Sequence, residues 1–368
     1  MKIVAAVIPE YDAPFELREL ELAPPTRNEV LIRLVSTGIC HTDGAAQHGD
    51  MPFPTPGVLG HEGAGVVVGL GEQVTHVSLG DHVILAWPWC GECKRCVAGQ
   101  PRYCESLGDL LISGSRPDKS TSLSANDQAI HSHFFGQSSF ANFCVVNERS
   151  LVVVPQNYPL EILGPLACGI ATGAGAVFNE LRPSLGTNLV VFGAGAVGLS
   201  AIMAARCTGV TKIIAVDLHD NRLDLALRYG ATHVINANRS DPVQEIKRIC
   251  GGLADYSLEC TGVIPVVRQA IDSVGMLGTA CLVGGAPMTA EFSVHHTSTL
   301  WGKKIIGILG GGGNSKQLIL GLLDLYSQGR FPFDELVVEY PLTEINQALD
   351  DSLTGKVLKP VIRMPHDD

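Results

Sequence analysis

Four cysteines, Cys90, Cys93, Cys96 and Cys104, follow one another in the pattern C-x2-C-x2-C-x7-C. Thiolates at such spacings can converge tetrahedrally on one zinc, as they do in closed structural sites. Two disulfides are the competing reading. The opening segment MKIVAAVIPE carries no secretory apolar region, and disulfides are uncommon in a reducing cytosol, so the pattern favours a metal in a cytoplasmic protein. A second set is dispersed along the chain: Cys40 heads Cys40-His41-Thr42-Asp43, His61 and Glu62 fall in GVLGHEGAGVV, and Cys168 lies in GPLACGIATGAG. A catalytic zinc takes three protein ligands and keeps one position open, and Cys, His and Cys form one such set. Each of these residues taken alone equally suits core packing or an ordinary hydrogen-bonded histidine.

A third centre is the glycine turn Gly193-Ala194-Gly195-Ala196-Val197-Gly198, placed between an apolar strand and a helix in TNLVVFGAGAVGLSAIMAARCTG. In this G-x-G-x-x-G, Gly193 permits the tight turn, Gly195 lets a pyrophosphate approach the backbone, and Gly198 allows close helix packing. Asp217 ends the next strand, nineteen residues after Gly198. There it can accept from an adenosine ribose and repel a 2′-phosphate, which favours NAD over NADP. A plain cap on the helix beginning near Asn221 is the alternative role.

The elements that must position these groups differ between the two parts of the chain. Around the glycine turn, short apolar strands (NLVVF, KIIAVD, HVINA, ADYSLECTG, GTACLVGG, KKIIGILGG) alternate with helical stretches such as NRLDLALRYG and DPVQEIKRIC. That alternation predicts parallel βαβ units in a doubly wound sheet of six strands. Residues 1 to about 150 hold short strands bounded by glycine turns, including EVLIRLVSTGIC, GAGVVVGLG and DHVILAW, which predict a mostly β domain. The 368-residue length exceeds one usual core, which again points to two domains. The composition is 46% hydrophobic with 41 glycines, and no apolar run reaches the ~18 residues of a membrane span. A formal net charge of −11 gives no basic stripe for nucleic acid.

On these residues the chain resembles the zinc-dependent alcohol dehydrogenases of the medium-chain dehydrogenase/reductase superfamily, along essentially its whole length. The resemblance rests on Gly60-His61-Glu62 with Gly65, the four-cysteine lobe, the glycine turn with Asp217, and Cys40 followed by a hydroxyl residue and an aspartate. It is most similar to the aryl (benzyl) alcohol and geraniol type dehydrogenases, through Cys40-His41-Thr42-Asp43, HFFGQSSFA from His133 and GPLACGIATGAGA from Gly164.

The resemblance implies a GroES-like, mostly β catalytic domain over residues 1–169 and 313–368, and a Rossmann domain for NAD over 170–312. It implies two zincs per chain, a structural one on the four-cysteine lobe and a catalytic one on Cys40, His61 and Cys168. Glu62 becomes a carboxylate able to approach the metal, Asp43 the acceptor that orients His61, and Thr42 the hydroxyl that takes the substrate proton. His41, Thr172, Val197, Arg222 and Lys359 match cofactor-contacting positions. The implied activity is reversible oxidation of a primary aromatic or allylic alcohol, with a glutathione-adduct or general aliphatic alcohol dehydrogenase as alternatives. Trp87 and Phe134 are expected to line the substrate pocket, and no Arg or Lys cluster marks it as built for a charged substrate. Many relatives end their proton relay at a histidine where this chain has Ala45; His48 is the nearby imidazole. The edge strand KKIIGILGG suits a homodimer or homotetramer.

Overall fold

The computed structural model describes residues 1–366; the last two positions of the expected 313–368 segment lie outside them. The chain divides into two compact units. One comprises Met1–Cys168, Asn314–Leu320 and the chain from Asp334 onward, and the other comprises Gly169–Gly313 and Gly321–Phe333.

The second unit is built on six parallel strands in the order His233–Asn236, Lys212–Asp217, Asn188–Phe192, Ala254–Glu259, Val274–Leu282, Lys304–Gly307. In sequence terms the order is 3-2-1-4-5-6, the doubly wound arrangement, with its direction reversing beside Asn188–Phe192. Leu189 to Phe192 are all buried, as a central strand covered on both faces requires. The chain leaves that strand through Gly193, whose φ of +91° only glycine adopts without strain, and enters the helix Ala196–Arg206. A Cβ on Gly198 would stand 1.8 Å from the Gly193 carbonyl oxygen, so the helix seats against its own turn only with glycine there.

In the first unit the strand Glu29–Gly38 is the organiser. It pairs with Gly63–Leu70, Phe143–Asn147 and Lys359–Arg363, inside a seven-stranded sheet that also holds Leu151–Val154, His82–Leu85 and Val337–Pro341. A five-stranded sheet led by Lys2–Ile8 and Glu16–Leu22 packs its apolar side into the same core, where Phe15 meets Phe140 edge to face. The last strand is the one least visible in the sequence. It brings Lys359 and Pro360 beside Ile39, whose N–H donates to the Pro360 carbonyl at 2.9 Å. Among the described residues no single helix is long and apolar enough to cross a membrane.

The glycine turn separates two substitutions. Gly198→Ala should lower stability by about 1–3 kcal/mol through overpacking. Gly195→Ala, whose added Cβ meets nothing within 4 Å, should cost less than about 1 kcal/mol. Thermal denaturation of both proteins checks the contrast, and equal losses would contradict it.

Candidate active site

The strand Glu29–Gly38 delivers the chain to Cys40, where the helix His41–His48 begins. Asp43, on the first turn, folds its carboxylate back so that Oδ2 accepts from the Cys40 N–H at 2.9 Å. That is the returning half of a capping box. The other oxygen, Oδ1, accepts from the Gly60 N–H at 3.2 Å and stands 3.0 Å from His61 Nδ1. Both Asp43 and His61 are fully buried. The ring is therefore held with Nδ1 donating to the carboxylate, and Nε2, equally buried, has no hydrogen-bond partner.

What Nε2 faces is a set of metal donors. The ligand atoms of Cys40, His61, Glu62 and Cys168 all lie within 4.8 Å of one another. Cys168 arrives from the turn Gly164–Ala167, which runs so close to Glu62 that a Cβ on Gly164 would stand 2.1 Å from the Glu62 carbonyl oxygen. Two sulfurs, an imidazole and a carboxylate at these separations fit zinc. Lys359 Nζ lies 2.7 Å from Glu62 Oε1 and 2.6 Å from Oε2, and donates to the Ile39 carbonyl at 2.9 Å.

The electrostatics agree with that reading. The Cys168 thiol donates toward the Cys40 sulfur, and His61 assists, so Cys40 is held well below its ordinary range. Burial opposes a charged His61, yet the Asp43 carboxylate outweighs it and raises the ring to about 10. A metal held at Nε2 would take the place of that second proton. Burial pushes Glu62 up to about 7 against the pull of Lys359.

The four-cysteine lobe is a second donor cluster, with its sulfurs also within 4.8 Å of one another. All four are free thiols, and the Cys90 and Cys96 sulfurs stand 3.8 Å apart, so the disulfide alternative does not describe them. Main-chain N–H groups hold the sulfurs in place. Cys93 donates to Cys90 Sγ at 3.4 Å, Cys96 and Glu105 to Cys93 Sγ at 3.5 Å, and Cys90 to Cys104 Sγ at 3.3 Å. The donors from Glu105 and Cys96 lower Cys93 to about 6. This cluster likewise fits zinc, with sulfur on all four sides.

At the dinucleotide turn, Asp217 Oδ2 accepts from the Ala194 N–H at 2.7 Å, while Oδ1 accepts from Leu218 and His219 at 2.8 and 3.0 Å. The following helix, Asp220–Tyr229, takes His219 as its capping residue, so Asp217 braces the glycine turn rather than that helix. Open space at the Gly195 Cβ position is the close-approach surface a pyrophosphate requires. Arg222 Nη1 lies 3.9 Å from Asp217. Thr172 and Val197 are half-buried, on the helices Gly169–Gly175 and Ala196–Arg206. His41 is exposed.

Several expected residues have different surroundings from those the sequence suggested. Lys359, matched to a cofactor position, is only 2% exposed and spends its ammonium on Glu62 and Ile39. Phe134 is fully enclosed, stacked edge to face on Phe53, His61 and Phe135, so it backs the histidine rather than forming an open wall. Phe135 lies nearer the ring, 4.6 Å from the His61 centroid, and meets Trp87 at 5.0 Å. Trp87 remains half-exposed. His48 is exposed, with Nδ1 2.7 Å from Asp12 Oδ1. Arg102 was missed: it is 3% exposed, and its guanidinium lies over the Trp87 ring at 5.1 Å. Its position between the third and fourth lobe cysteines carries no sequence signal of burial.

Two family models match the chain, "Alcohol dehydrogenase GroES-like domain" over residues 26–156 and "Zinc-binding dehydrogenase" over 196–327. A geraniol dehydrogenase from Castellaniella defragrans is 38% identical over 366 residues, 97% of this chain and 96% of its own. An S-(hydroxymethyl)glutathione dehydrogenase from Escherichia coli is 37% identical, covering 99% of this chain and 100% of its own. The crystal structure of benzyl alcohol dehydrogenase from Acinetobacter calcoaceticus superposes with a TM-score of 0.96 at 43% identity, covering 99% of this chain and 100% of that one.

Asp43 gives the arrangement its test. Asp43→Asn keeps the size but puts an amide donor against N–H groups, and should weaken zinc held at the Cys40 cluster by about 10–100-fold while sparing the lobe. Chelator competition with metal quantification reads both sites, and equal loss from the two would refute the assignment.

Proposed function

From the chain's membership of the zinc-dependent medium-chain alcohol dehydrogenase family, we propose that it catalyses the NAD-dependent, reversible oxidation of a primary aromatic or allylic alcohol, such as benzyl, cinnamyl or geranyl alcohol, to the aldehyde. The observation that carries the reading is the convergence of the Cys40 and Cys168 sulfurs on the orphaned Nε2 of buried His61. In the oxidation, RCH2OH and NAD+ give RCHO, NADH and a proton. Zinc on Cys40, His61 and Cys168 would supply Lewis acidity toward the alcohol oxygen, and NAD the hydride acceptor.

The protein's own groups do the positioning and move the proton. Asp43 holds His61, and Phe134 and Phe135 shield the ring from water. We assign the alcohol's proton to Thr42 Oγ1, a reading supported by its half-buried position 3.7 Å from Cys40 Sγ. The relay does not continue through His48. Six residues along a helix is roughly 9 Å of rise and about 240° of turn from Thr42, and His48 is engaged with Asp12 at the surface. The carboxylate of Asp217, fixed by three backbone donors at the end of the strand after the glycine turn, supports NAD, because an acidic residue at that place of the fingerprint disfavours a 2′-phosphate. A second zinc on the lobe would hold Cys90 to Cys104 as a folded loop without taking part in the reaction.

The aryl or allylic preference rests on the likeness to the geraniol and benzyl alcohol enzymes and on the aromatic surroundings of His61. Oxidation of S-(hydroxymethyl)glutathione is the second reading, supported by the Escherichia coli relative. A homodimer, built through the edge strand Lys304–Gly307, agrees with the exposed Met276, Leu277, Leu300 and Trp301 of the same unit.

A panel of benzyl, cinnamyl and geranyl alcohols, ethanol and S-(hydroxymethyl)glutathione, run with NAD and NADP, decides between these readings. The first three should give the highest kcat/KM, with NAD preferred; activity confined to ethanol or the glutathione adduct would refute the substrate assignment. Asp217→Asn should raise the NADP to NAD ratio of kcat/KM by about tenfold, since only the charge is removed. For the proton path, Thr42→Ala should lower kcat by about 100-fold. His48→Ala should leave the pH–rate profile unmoved, and a displaced profile would put His48 back in the relay.

A further inference from the structure

At the carboxyl ends of the strands Lys212–Asp217 and His233–Asn236, two arginines stand beside two carboxylates. Arg222 Nη1 lies 3.9 Å from Asp217 Oδ2, and Arg239 donates through Nη2 to Asp220 Oδ2. The other Asp220 oxygen accepts from Asn236 Nδ2 at 2.8 Å. The sheet fixes this grouping, because Asp217 and Asn236 are paired in register and the Ala237 N–H donates to the Asp217 carbonyl at 3.0 Å. Asn238 Nδ2 then donates to the Leu218 carbonyl at 3.0 Å, so the loop carrying Arg239 is stapled to the loop between Asp217 and Asp220.

In a doubly wound sheet a dinucleotide lies across the carboxyl ends of the strands, with its adenosine ribose at the acidic residue that ends the second strand, here Asp217. A 2′-phosphate would enter on that side. Asp220 and Arg239 also line an open cavity of about 470 Å³ together with Asp224, Asn236 and Glu245, which leaves the arginine room to move toward a ligand. Both side chains of the pair are exposed. An exposed ion pair adds little to stability, so the main physical effect of this one is on the charge that a ligand meets there. A guanidinium matches a phosphate by charge and by its paired donors. Spent on Asp220, it offers an incoming phosphate no net charge.

We infer that Asp220 is a second determinant of cofactor choice, acting by occupying Arg239, which without it would become a 2′-phosphate anchor and admit NADP. The inference rests on the NAD reading above and deepens it. Asp217 repels the phosphate directly, whereas Asp220 is a positioning residue that withholds the cation able to attract it. Neither carboxylate removed alone opens the site fully. While Asp217 remains, its charge faces the phosphate; while Asp220 remains, Arg239 is occupied. Two other carboxylates of the cavity compete for a freed Arg239. Glu245 is engaged by Arg248 at 2.7 Å, and Asp224 lies one turn farther along the helix Asp220–Tyr229 from the strand ends. A phosphate with three acceptor oxygens and up to two charges attracts the guanidinium more strongly than either.

The test measures dissociation constants of NADH and NADPH by titration calorimetry on the intact protein. Its variants are Asp217→Asn, Asp220→Ser, the two combined, and the combination with Arg239→Met. The native chain should favour NADH. Asp220→Ser alone should raise the NADPH to NADH affinity ratio by no more than about threefold, but in the Asp217→Asn background it should raise that ratio a further 10–100-fold or so. Arg239→Met should abolish the further gain, and added salt should diminish it. A ratio unmoved by Asp220→Ser in the Asp217→Asn background overturns the proposal, and recapture of Arg239 by Asp224 or Glu245 would give that result. A gain that survives Arg239→Met overturns it as well. A native chain that binds NADPH at least as tightly as NADH overturns the NAD reading instead. If the Asp220→Ser proteins do not fold, Asp220→Asn keeps the side chain's size and removes only its charge; a gain in the same direction supports the proposal, and no gain overturns it.

Discussion

One buried carboxylate ties the site together. Asp43 accepts from the Cys40 N–H, the Gly60 N–H and His61 Nδ1, so the start of a helix and the turn before the strand Gly63–Leu70 share a single anchor. The sheet brings the two segments to it. Thr37 pairs with Gly63, and the Gly38 N–H donates to the Glu62 carbonyl at 3.0 Å, which leaves Cys40 opposite Gly60 and His61. A buried carboxylate without donors would be strongly unfavourable; with three it is rigid, and so are the two ligands it orients. Gly44, next in the helix, accepts the approach of Leu353, whose side chain backs this turn from the helix Ile345–Leu353.

What could be read in the sequence was what neighbours in the chain determine. The βαβ alternation, the glycine fingerprint and the cysteine lobe are local patterns whose chemistry needs little tertiary context, whereas Cys40, His61 and Cys168 are far apart in the chain and stand out as a set only through the family resemblance. Residues whose role depends on distant partners were not legible. Lys359 reaches Glu62 across 297 positions, and no periodicity foretells that pairing. An aromatic residue near a site suits a pocket wall and a packed core equally, and for Phe134 only the packing against Phe53 and His61 separates the two. Arg102 was the harder case. An arginine in a polar loop is normally solvated, and its burial follows from how the lobe folds over Trp87.

The two cysteine clusters show how the same ligand chemistry is given different duties. In the lobe, backbone N–H groups from residues 90, 93, 96 and 105 point at sulfur, so the loop's own main chain holds the sulfurs of Cys90, Cys93 and Cys104 in place. A metal there would take all its ligands from sulfur, which suits a structural role. At the Cys40 cluster the supporting bonds come from side chains on distant segments, and the donors are unequal.

That inequality is what can leave a position open. Four residues surround the Cys40 site, yet the Glu62 carboxylate is paired at both oxygens with Lys359, whose ammonium is fixed in turn by the Ile39 carbonyl. Binding Glu62 to the metal would mean giving up a buried ion pair, whose separation is expensive because each charge would be left unpaired. Cys40, His61 and Cys168 face no such competition. Three donors are therefore available and the fourth is restrained, the balance that a zinc site with one open position requires. The strand Lys359–Arg363 thus acts on the Cys40 cluster by placing a charge behind Glu62.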